Sequence, residues 1–159
     1  YYTRNVDGGD YWQGHLREEL GLPEQVTKED FNQLLDGKRR AGFDLCFSAP
    51  KSVSIAALCL EQLTRTDMLE AHNAAVTATL DLIEQREIGT RVRDGNGGRD
   101  HIKTGNMIAG KFLHNISRNQ DPQLHTHAVI INVTQYNEKM YSIDNPDLYS
   151  NKIFYGQIY

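Results

Sequence analysis

The sequence is short of cysteine, of long apolar runs and of net positive charge, and each shortage argues against a class of protein. Its two cysteines, Cys46 and Cys59, give no disulfide framework. Both lie in apolar stretches, which predicts buried free thiols in a reducing compartment and favours the cytoplasm. No run approaches the roughly 18 apolar residues of a membrane span and no signal peptide is visible, so we expect no membrane insertion.

The net charge of −4 argues against uniform affinity for nucleic acid, which usually accompanies an excess of lysine and arginine. The charge is unevenly distributed, however. Residues 38–51 carry four basic side chains against one acidic, and residues 87–118 carry six against three. These local basic stripes on an acidic body permit a groove that follows a nucleic-acid strand.

The composition, 39% hydrophobic and 24% charged over 159 residues, is typical of one globular domain. We expect residues 1–159 to form a single domain that is part of a longer multidomain protein. Apolar periodicity and capping residues predict helices over 27–36, after Pro50 and over 66–86. Alternating patterns predict strands over 43–48, 106–116, 125–135 and 140–143, a hairpin around DGNGG at 94–98, and a helical tail. Helices early and strands late indicate an α+β fold, a central antiparallel sheet with helices packed on it.

Three histidines carry the densest chemical signal. His125 and His127 are two residues apart on a predicted strand, so their side chains point to one face. His114 lies on the preceding predicted strand, which an antiparallel return would bring alongside. Three imidazoles leave open positions for water and substrate, as in a catalytic rather than a structural metal site.

Other interpretations of the histidines stay open from spacing alone. A zinc hydrolase uses three such ligands, although no HExxH-type general base is visible. The remaining histidines, His15, His72 and His101, are more typical of surface or helix positions than of ligands. A lone Asp44, alternating with Phe43 and Leu45, is most simply a surface charge.

Several segments together resemble the TraI/TrwC-type conjugative relaxases, the MobF family of HUH endonucleases. They are FDLCFSAPKSVS at 43–54 and HNISRNQDPQLHTHAVIINVT at 114–134, with the tyrosine pair at 1–2, WQGHLREELGL at 12–22 and TGN at 104–106. The blocks follow the family's order along nearly the whole chain. The sequence departs from the family in that Tyr11 alone stands where members carry a second tyrosine pair. The stretches between Tyr2 and Trp12 and between Gly37 and Gly42 are also short against the family.

The resemblance implies a palm-like two-layer sandwich, with helices packed over one face of the central sheet. It also implies that the protein nicks and rejoins single-stranded DNA at a conjugative transfer origin. In the family, the first tyrosine of the N-terminal pair forms a 5′-phosphotyrosine, which places that role on Tyr1 with Tyr2 beside it. The acidic residue of the FSAPKS block corresponds to Asp44, which orients a metal-binding histidine or helps to deprotonate the tyrosine. The metal ligands correspond to His114, His125 and His127.

The implied cofactor is one divalent cation, Mg²⁺ or Mn²⁺, with Zn²⁺, Co²⁺ or Ni²⁺ also compatible with imidazole ligands. The implied partners are single-stranded origin-of-transfer DNA, other relaxosome proteins and a type IV coupling protein. Lys51 and Arg118 are candidate phosphate contacts, with solvated charge the alternative for each. Two alternative functions remain: a rolling-circle replication initiator of the HUH class, and a catalytically inactive DNA-binding module of the same fold.

Overall fold

The computed structural model describes residues 10–35, 41–59 and 62–159. The described helices are α1 (His15–Glu19), α2 (Lys28–Leu35), α3 (Lys51–Cys59), α4 (Gln62–Glu87) and α5 (Lys152–Ile158). The described strands are β1 (Tyr11–Gln13), β2 (Gly42–Ser48), β3 (Gly89–Arg93), β4 (Arg99–Lys103), β5 (Ala109–Ile116), β6 (Pro122–Ile131), β7 (Thr134–Tyr136) and β8 (Lys139–Tyr141).

A four-stranded antiparallel sheet in the order β1-β5-β6-β2 forms the centre of the molecule. The two long strands β5 and β6, which carry the histidines, are its inner pair. Two separate hairpins, β3–β4 and β7–β8, lie outside this sheet. The α+β prediction is thereby confirmed.

One face of the sheet is covered by the long helix α4. Its residues Val76, Leu80 and Ile83 recur at helical spacing and are at most 1% exposed. They form one core cluster with Ala109 of β5 and Ile130 of β6. This packing positions the two inner strands rigidly on the helix layer.

In the part of the chain that the structure describes, residues from β1, α1 and α2 cover one end of the opposite face. Phe31 of α2 packs edge-on against Phe112 of β5, with ring centroids 5.2 Å apart. Trp12, 4% exposed, and Leu16, fully buried, join the same cluster. Helices therefore contact both faces of the sheet, whereas the sequence led us to expect them over one face. The histidines occupy the other end of this second face.

The predicted strand over 125–135 is divided in two. β6 ends at Ile131, because the Val133 amide donates to the Ile131 carbonyl at 2.7 Å in a tight turn. The Asn132 side chain accepts a hydrogen bond from the Ile143 amide at 2.9 Å. The chain therefore leaves the sheet at Asn132, and β7 forms a hairpin with β8 instead.

The two thiols differ from expectation in one respect. Cys46 and Cys59 are free, as predicted, but both are exposed. Cys46 faces away from the α4 layer because it alternates with the buried Phe47 on β2. In the described part of the chain, no helix combines the length and apolarity needed to cross a bilayer.

Candidate functional site

Strand pairing brings the three predicted histidines together on one face of the sheet. His114 of β5 lies directly opposite His125 of β6, and His127 follows two residues later on the same side. The ring centroids are 5.2 Å apart for His114 and His125, 5.5 Å for His114 and His127, and 5.3 Å for His125 and His127. The rings therefore form a nearly equilateral triangle.

Acceptors behind two of the rings fix their orientation. Nδ1 of His127 lies 2.9 Å and 3.0 Å from the two carboxylate oxygens of Asp44, and Nδ1 of His125 lies 3.0 Å from the carbonyl oxygen of Gln123. Because carboxylates and carbonyls only accept, each Nδ1 is the donor and each Nε2 keeps its lone pair. Metal-ligating histidines are held by acceptors in this way.

The donor set fits a divalent metal ion. Three imidazoles bound tetrahedrally to one ion at about 2.0–2.1 Å place their ring centroids roughly 5 Å apart, close to the spacing of this triangle. Within residues 10–35, 41–59 and 62–159, no three His, Cys, Asp or Glu side chains already converge as a closed ligand set. Ion binding at the triangle therefore requires small rotations of the rings.

Burial and the neighbouring imidazoles favour the neutral form of His114. Burial lowers the pKa of the His114 imidazole below its usual value, and the neighbouring His125 and His127 lower it further. His125 is 9% exposed. A neutral imidazole is the form that binds a metal, so the site's own environment prepares His114 for that role.

A buried polar network that sequence reasoning missed supports β6 from the other face. Thr126 lies between the two histidines of β6 and points toward α4, where its hydroxyl is 2.7 Å from Nε2 of His72. The Tyr159 hydroxyl lies 2.9 Å from Nδ1 of the same ring. Burial, with a further contribution from His125, lowers the pKa of His72 to about 4, and burial raises the pKa of Tyr159 to about 12. His72 shares the apolar spacing of α4, and that spacing was the signal for its burial.

The remaining predicted site residues are placed as follows. Lys51, at the start of α3, donates from Nζ at 2.9 Å to the carbonyl of Pro122, the first residue of β6. Arg118 is exposed in the turn between β5 and β6. Tyr1 and Tyr2 lie outside the described residues. Trp12, in the segment at 12–22 that resembles the family, is buried in the core.

The Asp44–His127 hydrogen bond gives a graded test of the site. Asp44→Asn is expected to weaken divalent-ion affinity by about 10- to 100-fold, because an amide orients the His127 ring less firmly than a carboxylate does. Calorimetric titration with Mn²⁺ measures the change, with the exposed Asp67→Asn as the matched control. Unchanged Mn²⁺ affinity in Asp44→Asn would show that Asp44 does not contribute to metal binding.

Comparison with known proteins agrees with this geometry. The TrwC relaxase family model matches residues 1–159. The multifunctional conjugation protein TraI of Escherichia coli strain K12 is 35% identical over 95% of this chain and 10% of its own length. A metal-bound structure of the conjugative relaxase TrwC in complex with oriT DNA is 36% identical, with a TM-score of 0.85 over 94% of this chain and 56% of that chain. A metal-free structure of TrwC with oriT DNA is 35% identical, with a TM-score of 0.86 over 98% of this chain and 59% of that chain.

The extent of these matches determines what they establish. The chain spans about a tenth of the length of the TraI proteins and somewhat over half of the TrwC chains. The family model nevertheless covers the chain throughout, and the fold agrees over nearly all of it. The chain belongs to the TrwC relaxase family.

Proposed function

We propose that this chain is the DNA-cleaving core of a conjugative relaxase, which nicks and rejoins one strand at a transfer origin. The observation that carries the proposal is the His114–His125–His127 triangle, with Asp44 hydrogen-bonded to His127. In the solved relatives, TrwC is bound to oriT DNA, including a 27-mer that comprises the recognition hairpin and the cleavage site. The whole chain 1–159 is proposed to act as one domain of a longer protein.

The three histidines are proposed to hold one divalent cation through His125 Nε2, His127 Nε2 and a His114 ring nitrogen. When bound, such an ion offsets negative charge on a non-bridging oxygen of the scissile phosphate. We propose Mg²⁺ or Mn²⁺ as the physiological ion, with Zn²⁺, Co²⁺ and Ni²⁺ as the alternatives that imidazoles favour. Asp44 acts through His127, whose ring it orients.

The proposed nucleophile is Tyr1, with Tyr2 beside it. The phenolate oxygen of Tyr1 forms a bond to phosphorus, and the bond from phosphorus to the 3′-oxygen breaks. The 3′-oxygen takes up a proton from water and leaves as a free hydroxyl, which balances the proton that Tyr1 loses when it ionises, and the 5′-phosphate stays on the tyrosine. The phosphotyrosine retains the energy of the phosphodiester, so a 3′-hydroxyl can reverse the step without ATP. Lys51 and Arg118 are proposed to contact phosphates near the turn between β5 and β6.

The proposed partners are single-stranded origin DNA, other relaxosome proteins and a type IV coupling protein, in the cytoplasm of a bacterium. The alternatives make different predictions. A rolling-circle initiator cleaves a replication origin instead of a transfer origin. A catalytically inactive module of the same fold binds DNA and metal but forms no covalent product.

Trapping the covalent adduct tests the proposal. The protein is incubated with Mn²⁺ and a labelled single-stranded oligonucleotide that spans the transfer origin of its own genetic element. We expect an adduct that is stable to denaturation and that does not form when a chelator is present during the incubation. Its yield should fall at least 100-fold in Tyr1→Phe. Tyr149→Phe, a change at an exposed tyrosine, serves as the control.

Three outcomes would contradict parts of the proposal. An undiminished adduct yield in the Tyr1→Phe/Tyr2→Phe double variant would show that neither tyrosine is the nucleophile. DNA and Mn²⁺ binding without any adduct supports the inactive module. Cleavage of a replication origin in preference to the transfer origin supports the rolling-circle initiator.

A further inference from the structure

The β3–β4 hairpin concentrates basic side chains on one face. Residues directly opposite each other in an antiparallel pair project to the same side. Here Arg93 lies opposite Arg99, Arg91 opposite His101, and Lys103 opposite Gly89. All five basic side chains of the hairpin therefore share one face, which we call the basic face: Arg91, Arg93, Arg99, His101 and Lys103.

The acidic side chains of the hairpin do not neutralise this face. Asp94 lies in the turn, where its Oδ1 accepts hydrogen bonds from the amides of Asn96 and Gly98 at 2.9 Å and 2.8 Å. Asp100 is paired with Val92 and therefore projects to the opposite side. The charge of the basic face is left uncompensated within the hairpin.

The pair Arg93–Arg99 is unfavourable for the isolated fold. Like charges directly opposite each other in a sheet are destabilising, and both arginines are exposed. No acidic group in the described parts of the chain forms an ion pair with Arg93, Arg99 or Lys103. A polyanion that contacts both arginines would replace this repulsion with attraction.

The base of the hairpin is fixed to the body of the protein. Asp144 accepts a hydrogen bond from Arg91 at 2.8 Å, and its backbone carbonyl lies 2.9 Å from Nε2 of His101. The hydroxyl of Thr90 donates to the Ser142 carbonyl at 2.9 Å. The hairpin is thus anchored at Arg91 and His101, and it presents Arg93, Arg99 and Lys103 from a supported position.

We propose that the basic face binds the phosphate backbone of DNA, as a contact surface additional to the histidine site. Alternate residues on a strand repeat every 6.6–6.8 Å or so, about twice the 3.4 Å rise per nucleotide of one DNA strand, and a two-stranded ribbon is narrow enough for the major groove. The choice of DNA as the ligand rests on the proposed function, because this DNA is the substrate that the histidine site is proposed to cleave. The surface contributes affinity rather than sequence preference.

Salt-dependent DNA binding tests the inference. The variant Arg93→Gln/Arg99→Gln/Lys103→Gln, which we call the ribbon variant, removes three charges and keeps side chains of similar polarity. Its matched control, Lys28→Gln/Lys139→Gln/Lys152→Gln, changes three exposed lysines elsewhere and gives the same net charge. Fluorescence anisotropy with a labelled origin oligonucleotide, as single strand and as hairpin, gives Kd between 50 and 200 mM NaCl.

We expect the ribbon variant to bind at least tenfold more weakly near 0.1 M salt. The slope of log affinity against log salt should fall in magnitude by about 2 to 3, since each lost phosphate contact contributes roughly 0.7 to 0.9. The adduct yield at saturating DNA should not change. The thermal midpoint of Arg99→Gln alone should stay the same or rise, because the substitution relieves the repulsion from Arg93; a purely structural role predicts a fall.

The outcomes separate this inference from the proposed function. If the ribbon variant and the control keep the wild-type slope and affinity, the basic face does not bind DNA, and an acidic protein surface becomes the better partner. If the wild type forms no adduct but the ribbon variant still loses affinity and slope, the inference stands and the proposed function fails.

Discussion

His125→Ala is expected to reduce metal-dependent DNA cleavage by about 1,000-fold. His125 is one of the three proposed ligands of the triangle, with its ring centroid 5.2 Å from that of His114 and 5.3 Å from that of His127. A bound cation contributes several kcal/mol of transition-state stabilisation, and each 1.4 kcal/mol is a factor of ten in rate. Two imidazoles alone hold a divalent ion weakly, so most of that contribution is lost. Adduct formation over time and calorimetric Mn²⁺ titration measure the two effects.

A second substitution at the same position separates metal binding from folding. His125→Asn places an amide nitrogen near the position of Nδ1, so the hydrogen bond to the Gln123 carbonyl can persist while the Nε2 ligand is removed. This variant should melt close to the wild type yet lose cleavage and Mn²⁺ affinity as severely as His125→Ala. Mn²⁺ affinity within threefold of the wild type in both variants would show that the ion binds elsewhere.

The sequence predicted the site better than it predicted what surrounds the site. Strand periodicity alone placed His125 and His127 on one face, because the geometry of a strand is local. The partnership of Asp44 with His127 depends on the register of β2 against β6, two strands separated by more than 70 residues. Local patterns do not fix such a register, so Asp44 looked like a surface charge until the family resemblance was considered.

The buried polar residues could not be identified in this way. Glu84 is 1% exposed, although it lies on a helix whose other acidic residues are mostly exposed. His72 and Thr126 meet across the layer between α4 and β6. Such partnerships arise only when the tertiary packing is complete, because each buried group must find its partner in another element. The exposure of Cys46 has a different, local origin: its apolar neighbours on β2 alternate with it and are buried on the opposite face.

Glu84→Leu is expected to destabilise the fold by about 3–5 kcal/mol, because it leaves two backbone amides without their acceptor at roughly 1–3 kcal/mol each and also removes the partner of His15. Oε1 of Glu84 accepts hydrogen bonds from the backbone amides of His15 and Met107 at 2.9 Å and 2.8 Å, and Oε2 lies 2.8 Å from Nδ1 of His15. The carboxylate therefore joins α4 to the start of α1 and to the segment that leads into β5. Leucine fills the space but accepts none of these hydrogen bonds. For a domain of this size, the thermal midpoint should fall by roughly 10 °C.

Two matched variants make the test specific. Glu84→Gln keeps one acceptor oxygen for the amides, so its destabilisation should be smaller, about 1–2 kcal/mol. Glu70→Leu changes an exposed glutamate on the same helix and should have little effect. Equal melting temperatures for Glu84→Leu and Glu70→Leu would show that the buried carboxylate is not a tertiary link.

The pH dependence of the Glu84→Leu effect follows from His15. The hydrogen bond and the charge of Glu84 raise the pKa of His15 above its ordinary value of 6.5. This part of the stabilisation is therefore fully present below pH 6.5 and is lost as the pH rises through the raised value. The difference in free energy of unfolding between wild type and Glu84→Leu, measured by urea unfolding, should be larger at pH 6 than at pH 9.

Because the His15 side chain is 66% exposed, the His15 contribution is smaller than that of the two backbone amides, and most of the destabilisation should persist at pH 9. A difference that vanished at pH 9 would mean that the His15 ion pair, and not the amide hydrogen bonds, carries the link.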